Sequence, residues 1–191
     1  FILAVLLLAA GCREKKAEQF TALPFPDVQL PSMISGQQEA LEYMAVNYWN
    51  GMTDPSRNYP SDSLLVSGVR RGDVEQKFAD WTSIMEYAGH GVWSKAVGNL
   101  YDRALACERK DTTSQVFETF VDLFQKYYYD PNSPMRNEDV YYHFVSRYAS
   151  YEGLSDALRG KYEREARLCA LNRVGTKAAD FRFADRRGKM T

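Results

Sequence analysis

Two histidines and three cysteines are the residues of this sequence best suited to metal binding, acid–base catalysis or thiol chemistry. His90 lies between two glycines, and His143 follows a pair of tyrosines. Neither has a second histidine at the spacing of helical metal ligands, and no neighbour in sequence would orient an imidazole as a general base. The sequence therefore predicts no metal site, no catalytic histidine and no cofactor.

Nucleophilic and hydrolytic chemistry has equally little support in the sequence. There is no Gly-X-Ser-X-Gly motif, and no glycine-rich phosphate loop precedes a Lys-Ser or Lys-Thr pair. Carboxylates are numerous but scattered, so no two of them stand out as a general acid and base. We therefore predict no catalytic residues, and a hydrolase is the least favoured class of function.

The first cysteine, Cys12, ends the apolar stretch FILAVLLLAAGC, which is too short to cross a membrane. Small residues before this cysteine resemble a bacterial lipoprotein signal. We therefore expect residues 1–11 to be an incomplete signal peptide and Cys12 to carry a lipid. The protein would then be exported and anchored to a membrane on its periplasmic or cell-surface side. A buried N-terminal helix is the alternative, although the charged segment REKKAEQ follows at once.

The other two cysteines, Cys107 and Cys169, have neither Cys-X-X-Cys nor metal-ligand spacing. Each continues an apolar series at helical spacing, which is typical of a small buried residue. An exported compartment permits a disulfide, but sequence does not reveal the distance between two cysteines. Both the paired and the free form are compatible with this pattern.

Aromatic residues are the most prominent chemical feature, with 13 Tyr, 10 Phe and 3 Trp. The stretches YYYD and VYYHF stand on either side of one turn-rich loop. Tyrosine joins an apolar ring to a hydrogen-bonding hydroxyl, which suits a cleft for a glycan, a peptide or a protein client. The same spacing fits rings packed between two helices, and we favour that interpretation. The candidates for a ligand or partner surface are Tyr128, Tyr129, Arg136, Tyr141 and Tyr142.

The elements that would position these residues are amphipathic helices with short polar breaks. Such a pattern predicts a mainly α fold, an antiparallel array of about six helices, over residues 33–173. No second copy of any segment occurs at a repeat period. The apolar stretch SLLVSG is expected to be a packed loop or a small helical turn. The predicted helices begin near Ser35, Asp73, Val92, Thr112 or Thr113, Asn137 and Ser155, and the last one reaches Leu171.

Charge and proline content describe the two ends of the chain. Residues 12–32 are charged and then proline-rich, which is typical of a tether. The net charge is −1, so there is no electrostatic case for nucleic acid as a partner. From Arg159 onward there are ten basic and four acidic residues. We interpret this as a solvated basic helix face, with a docking surface as the alternative.

Three segments resemble a known family: YMAVNYWNGMTD, VEQKFADWTSIM and, most specifically, YYYDPNSPMRNEDVYYHF. They are similar to a helical domain of unknown function from Bacteroidota-type lipoproteins, which often precedes a thioredoxin-like domain. The resemblance covers roughly residues 25–171. The resemblance implies no catalytic residues. It implies a helical module that positions a thioredoxin-like domain or recognises its clients.

The last segment, residues 174–191, looks like the opening of a TlpA-like thioredoxin domain. Apolar and polar residues alternate around Phe181 and Phe183, as in a short strand, and DRRGK is typical of a turn. Ala179 stands where that family usually has proline. We expect a truncated first strand or hairpin, poorly packed on its own, and no oxidoreductase activity in this sequence, because no Cys-X-X-Cys follows. The positions that match the family are Gly175, Ala178, Asp180, Phe181, Asp185, Gly188 and Lys189.

Two functions therefore remain open. The first is the helical module of an exported, lipid-anchored thiol–disulfide oxidoreductase, with the membrane and the thioredoxin-like domain as its partners. The second is a stand-alone, lipid-anchored module that binds a glycan or a peptide.

Overall fold

A computed structural model describes residues 21–60, 62–171, 173–178, 180, 182–184 and 186–190. Within these ranges the chain is mainly helical, as predicted. It has six α-helices, one π-helical segment and one two-stranded antiparallel sheet. The elements are α1 (Gln37–Asn47), β1 (Leu65–Val66), β2 (Val69–Arg70), α2 (Arg71–Ala88), α3 (His90–Lys110), α4 (Val116–Phe124), the π segment (Gln125–Tyr129), α5 (Glu138–Tyr148) and α6 (Asp156–Cys169).

The short sheet replaces the packed loop or helical turn expected for SLLVSG. Leu65 pairs with Arg70, and Val66 pairs with Val69. The two residues between the strands, Ser67 and Gly68, both have positive φ (49° and 78°). Two positive-φ residues make the kind of tight hairpin turn that matches the twist of paired strands, so the local chain forms a β-hairpin rather than a helical turn.

Four helices begin at different residues from those expected. Helix α2 begins at Arg71, so Asp73 lies in its first turn and does not cap it, and α3 begins at His90 rather than Val92. Gly36 precedes α1 without a side-chain cap, so Ser35 does not cap this helix. The fourth helix begins at Val116 rather than at Thr112 or Thr113. The Asp111 carboxylate accepts hydrogen bonds from the backbone and hydroxyl of Thr113, which form a local turn that competes with helix. By contrast, Ser155 caps α6 as predicted, accepting from the Leu158 amide at 3.4 Å.

Helix α3 lies at the centre of the packing, since it contacts α1, α2, α4 and α5, while α6 packs on α5. The antiparallel order of the array stays a prediction. The largest fully buried side chains are aromatic and come from several helices. Burying each such ring removes it from water and contributes about 1.5–3 kcal/mol. One contact, the stacked Phe124 and Phe144 rings at 4.1 Å, joins α4 to α5.

The described part of the expected tether, residues 21–32, makes close contacts with the helices. The Phe25 ring lies 5.5 Å from the Trp49 ring, and the Leu23 amide donates to the Gly68 carbonyl at 2.8 Å. Asp27 pairs with Lys77 at 2.9 Å. The packed body therefore begins earlier than the boundary expected at residue 33, because Phe25 completes the aromatic cluster around Trp49.

The described residues between 174 and 190 are all exposed, as expected for a short hairpin. They contain a single antiparallel bridge, between Ala184 and Met190. The expected signal peptide and Cys12 lie outside the described residues. Within the ranges that the structure covers, none of the helices is both long and apolar enough to pass through a membrane.

Candidate functional site

The candidate site is built around the π segment, in which the helical repeat widens directly after α4. The Asp130 amide donates to the Gln125 carbonyl at 2.9 Å, which spans five residues instead of four. Such π turns are uncommon and are often found at functional sites. Here the extra residue directs Tyr128 into the core, where it is 3% exposed, while Tyr127 and Tyr129 remain half-buried.

The loop between the π segment and α5, residues 130–137, is held by its own side chains. The Ser133 hydroxyl donates to the Tyr127 carbonyl at 2.6 Å, and Asp130 accepts from the Asn132 amide at 2.8 Å. The Asn137 amide donates to the Tyr128 carbonyl, and its side chain caps α5 by accepting from Val140 at 3.1 Å. The loop is therefore a fixed wall rather than a loose connection.

Two cavities flank this loop, and both are lined by Pro134 and Met135. The first, called the outer cavity, has a volume of about 380 Å³ and is also lined by Lys126, Tyr127 and Asp130. The second, called the Tyr128 cavity, has a volume of about 160 Å³. Its wall takes Met85 and Glu86 from α2, Trp93 from α3, Tyr128 from the π segment, and Met135 and Arg136 from the loop.

The Tyr128 hydroxyl is buried and has no hydrogen-bond partner within the described structure. Burial raises the pKa of Tyr128 well above its usual range, so the group is a neutral O–H at any working pH. A buried hydroxyl usually has a partner, because leaving one unpaired costs about 1–3 kcal/mol. This orphaned donor, beside a cavity, is the strongest chemical feature of the site.

Two of the other predicted residues, Tyr129 and Tyr141, belong to a polar cluster between α5 and α6. Their rings stack at 4.5 Å. The Tyr141 hydroxyl donates to Glu165 at 2.7 Å, and Gln125 lies 3.4 Å from both groups. Burial, and then the bond to Glu165, raise the pKa of Tyr141. The Tyr141 hydroxyl and the Glu165 carboxylate therefore pair within the protein, and this cluster joins α5 to α6.

The last predicted residue, Tyr142, is covered by a residue that lies after α6 in the chain. The Arg173 guanidinium lies 4.0 Å from the centre of the Tyr142 ring and 3.8 Å from Asp139. Asp139 also accepts from the Val174 amide at 3.1 Å, and Arg173 approaches His143 at 3.4 Å. These contacts, called here the Arg173 clamp, attach the chain after α6 to the start of α5.

The structure thus divides the predicted ligand surface. Tyr128 and Arg136 line one cavity, Tyr129 and Tyr141 form an internal cluster, and Tyr142 lies under the Arg173 clamp. Buried Tyr128 and Tyr141 pack as core rings. The cavity residues that sequence reasoning did not select include Met85, Glu86, Trp93 and Met135, of which Met135 belongs to the turn-rich loop between the two aromatic stretches.

The described residues form neither a reactive-thiol site nor a metal-binding site. Cys107 and Cys169 are free thiols, and the pKa of each is raised, chiefly by burial, that of Cys169 to about 12. Neither is therefore an activated thiolate. The described ranges also hold no group of three or more His, Cys, Asp or Glu residues placed to bind a metal ion.

The chain was compared with protein families, with curated proteins and with solved structures. It matches the family described as Domain of unknown function (DUF5106) over residues 10–172. No curated protein matches the sequence. Its structure is similar to the crystal structure of a thioredoxin-like protein from Bacteroides caccae, with a TM-score of 0.65 and 24% sequence identity. The match covers 90% of this chain and 57% of that one, so this chain spans just over half of its length. Since the family match extends over most of its residues, the chain belongs to the DUF5106 family.

Proposed function

We propose that this chain is the helical module of an exported, lipid-anchored thiol–disulfide oxidoreductase of the TlpA-like type. In it, residues 33–173 would position a thioredoxin-like domain or recognise its clients, and the thioredoxin-like domain would supply the thiol chemistry. The observation that carries the proposal is the likeness to a protein described as thioredoxin-like, of which this chain matches 57%.

Two features of this chain support the same function. The segment from Gly175 onward resembles the opening of a thioredoxin-like domain, and its described residues are exposed. The Arg173 clamp attaches the chain to α5 directly before that segment. A fixed exit from the helical body is useful to a positioning module, because it limits the directions that the next domain can take.

The first test concerns the coding sequence beyond Thr191. We expect a thioredoxin-like strand pattern with a Cys-X-X-Cys motif. The longer protein should reduce a disulfide substrate, and residues 33–173 alone should not, because their described thiols have raised pKa values. If the coding sequence has no such motif, the oxidoreductase proposal fails.

The second test concerns the lipid anchor on Cys12. With its complete N-terminus, the protein should incorporate a labelled fatty acid and sediment with membranes after expression in a bacterium. The Cys12→Ser variant should do neither, whereas Cys107→Ser should behave like the parent. A Cys12→Ser protein that remains membrane-bound would contradict the anchor.

A second candidate function is a stand-alone, lipid-anchored module that binds a peptide or a glycan. The two cavities beside Met135 favour it, since one of them is lined by Tyr128, whose buried hydroxyl is unpaired. Ligand binding without any Cys-X-X-Cys motif after Thr191 would distinguish this function from the first.

A further inference from the structure

We propose that the outer cavity and the Tyr128 cavity form one peptide-binding site, in which the Tyr128 hydroxyl donates a hydrogen bond to a carbonyl oxygen of the peptide. This inference rests on the proposed function in one respect, since it identifies how the module would recognise a client. It names the site, the donor group and the class of ligand.

The shape of the site suits an extended chain. The two cavities adjoin each other, because Pro134 and Met135 line both. The loop that carries these residues is fixed by Ser133 and Asn137. Two neighbouring recesses that share lining residues fit an extended peptide, because it can place one side chain in each recess.

The wall of the Tyr128 cavity is part polar, with Glu86, Arg136 and Asn137, and part apolar. Met85, Met135, Trp93 and Val140 contribute to its apolar part. Methionine is unbranched and polarisable, so that surfaces rich in it adapt to side chains of different shape. Such a lining would accept various apolar side chains, as the recognition of many clients requires.

The orphaned hydroxyl supplies the polar contact. Tyr128 lines the cavity, and its O–H has no partner among the described residues. Because an unpaired buried donor is costly, a ligand that offers an acceptor gains the bond without breaking one within the protein. Every peptide unit carries a carbonyl acceptor, so this contact would be independent of the peptide sequence.

The surroundings of the cavities bear on the class of ligand that the site would take. A sugar ring binds against an open aromatic face, and two of the predicted tyrosines each have one face covered. Tyr129 is stacked on Tyr141, and Arg173 lies over Tyr142. The neighbouring cations are also paired, Lys126 with Glu75 and Arg136 with Glu138. The paired cations and the methionines of the wall therefore favour a partly apolar ligand over a nucleic acid.

The test uses a random heptapeptide library displayed on phage and selected on the immobilised full chain. We expect enriched peptides to carry apolar residues. Fluorescence anisotropy with the synthesised peptides then gives Kd values for four proteins. Compared with the parent, Tyr128→Phe should weaken binding about 5-fold, which corresponds to one hydrogen bond. Met135→Glu, which puts a charge between the two cavities, should weaken binding by more than about 10-fold.

The matched control is Tyr48→Phe, which removes a hydroxyl from another buried tyrosine that lines neither cavity. It should leave Kd unchanged. Tyr128→Phe should keep the thermal midpoint of the parent or raise it, because its hydroxyl has no partner to lose. The proposal would be overturned if no peptide is enriched, or if Tyr128→Phe has an unchanged Kd or a lowered thermal midpoint. Binding of oligosaccharides on a glycan array that depends on Tyr128 would overturn it in favour of a glycan site.

The two proposals fail in different ways. Peptide binding is measured on this chain and does not depend on the coding sequence beyond Thr191. If peptides bind but the longer protein lacks a Cys-X-X-Cys motif, the oxidoreductase proposal fails and the binding site stands. If the motif is present but no peptide binds, the site fails and the module is left with a positioning role.

Discussion

The Tyr141 hydroxyl donates a 2.7 Å hydrogen bond to the Glu165 carboxylate and so joins α5 to α6 within the core. Tyr141 is 1% exposed and Glu165 is 8% exposed. A carboxylate so far from water depends on its partners for stabilisation, and Lys161, at 3.8 Å, is too distant to donate a strong hydrogen bond to it. The tyrosine is therefore the principal donor to this carboxylate.

We predict that Tyr141→Phe lowers the free energy of unfolding by about 1–3 kcal/mol, because it leaves a buried carboxylate without its best donor. Urea denaturation followed by circular dichroism would measure the change. Glu165→Gln should cost less, since an amide oxygen still accepts from Tyr141. The control is Tyr87→Phe, at a residue that is 73% exposed, and it should have no measurable effect. Equal stability of Tyr141→Phe and the parent would contradict the prediction.

The two described cysteines should react as separate, protected thiols. In a Cys12→Ser background, a thiol reagent should count two thiols after denaturation without a reductant, because Cys107 and Cys169 are free. In the native protein, Cys107, which is half-buried, should react before buried Cys169. The raised pKa of Cys169, about 12, slows its reaction further, since only the thiolate is nucleophilic. A count of zero without reductant, and two with it, would reveal a disulfide instead.

The stability of the fold should decrease in mild acid because of His143. Burial, and then the nearby charge of Arg173, lower the pKa of His143 below its usual value of 6.5; Arg147 acts in the same direction, and Asp139 opposes it. Between the folded and unfolded pKa values, the unfolded chain binds more protons, so stability rises with pH there. The contribution is complete above about pH 6.5 and is lost as the pH falls through the folded pKa.

Urea midpoints between pH 7.5 and pH 5 would test this dependence, and His143→Gln should flatten it. His90→Gln is the matched control, because that residue is exposed on the surface, and its profile should follow the parent. Parallel profiles for the parent and His143→Gln would show that another group is responsible.

The Arg173 clamp should control the mobility of the chain after α6. Arg173→Ala removes the cation that lies 4.0 Å over the Tyr142 ring and should lower the free energy of unfolding by about 0.5–1 kcal/mol. It should also speed hydrogen exchange at the Val174 amide, which donates to Asp139. The control, Lys177→Ala, breaks an exposed pair with Asp180 and should change neither quantity. Unchanged exchange at Val174 in Arg173→Ala would show that Asp139 holds this segment alone.

The helical elements could be predicted from sequence because the signals are local. The aromatic stripes of α2, α4 and α5 recur at helical spacing, and Ser155 precedes α6 as a cap. Predictions that depended on competition between local structures were less accurate. Asp111 forms a turn with Thr113 that delays α4, and the positive φ angles at Ser67 and Gly68 produce a hairpin.

The candidate site was only partly predictable from the same information. Tyr128 and Arg136 were selected because aromatic and charged residues gather around one loop, and both line the Tyr128 cavity. Met85 and Trp93 lie on two other helices and reach the same cavity only after packing. Nor does the spacing of three consecutive tyrosines reveal which ring enters the core, since that depends on the π turn at Gln125–Tyr129.

By itself, the sequence determined the helical class, the approximate helices and the loop that would carry a site, because periodicity, caps and turn residues are properties of neighbouring residues. Only the tertiary structure decided what each of the predicted tyrosines contacts. Tyr141 finds Glu165, Tyr142 lies beneath Arg173, and Tyr128 is left unpaired beside a cavity. The physical reason is that a hydrogen bond in the core requires a partner from another element within about 3 Å, and the packing of whole helices decides which partners meet.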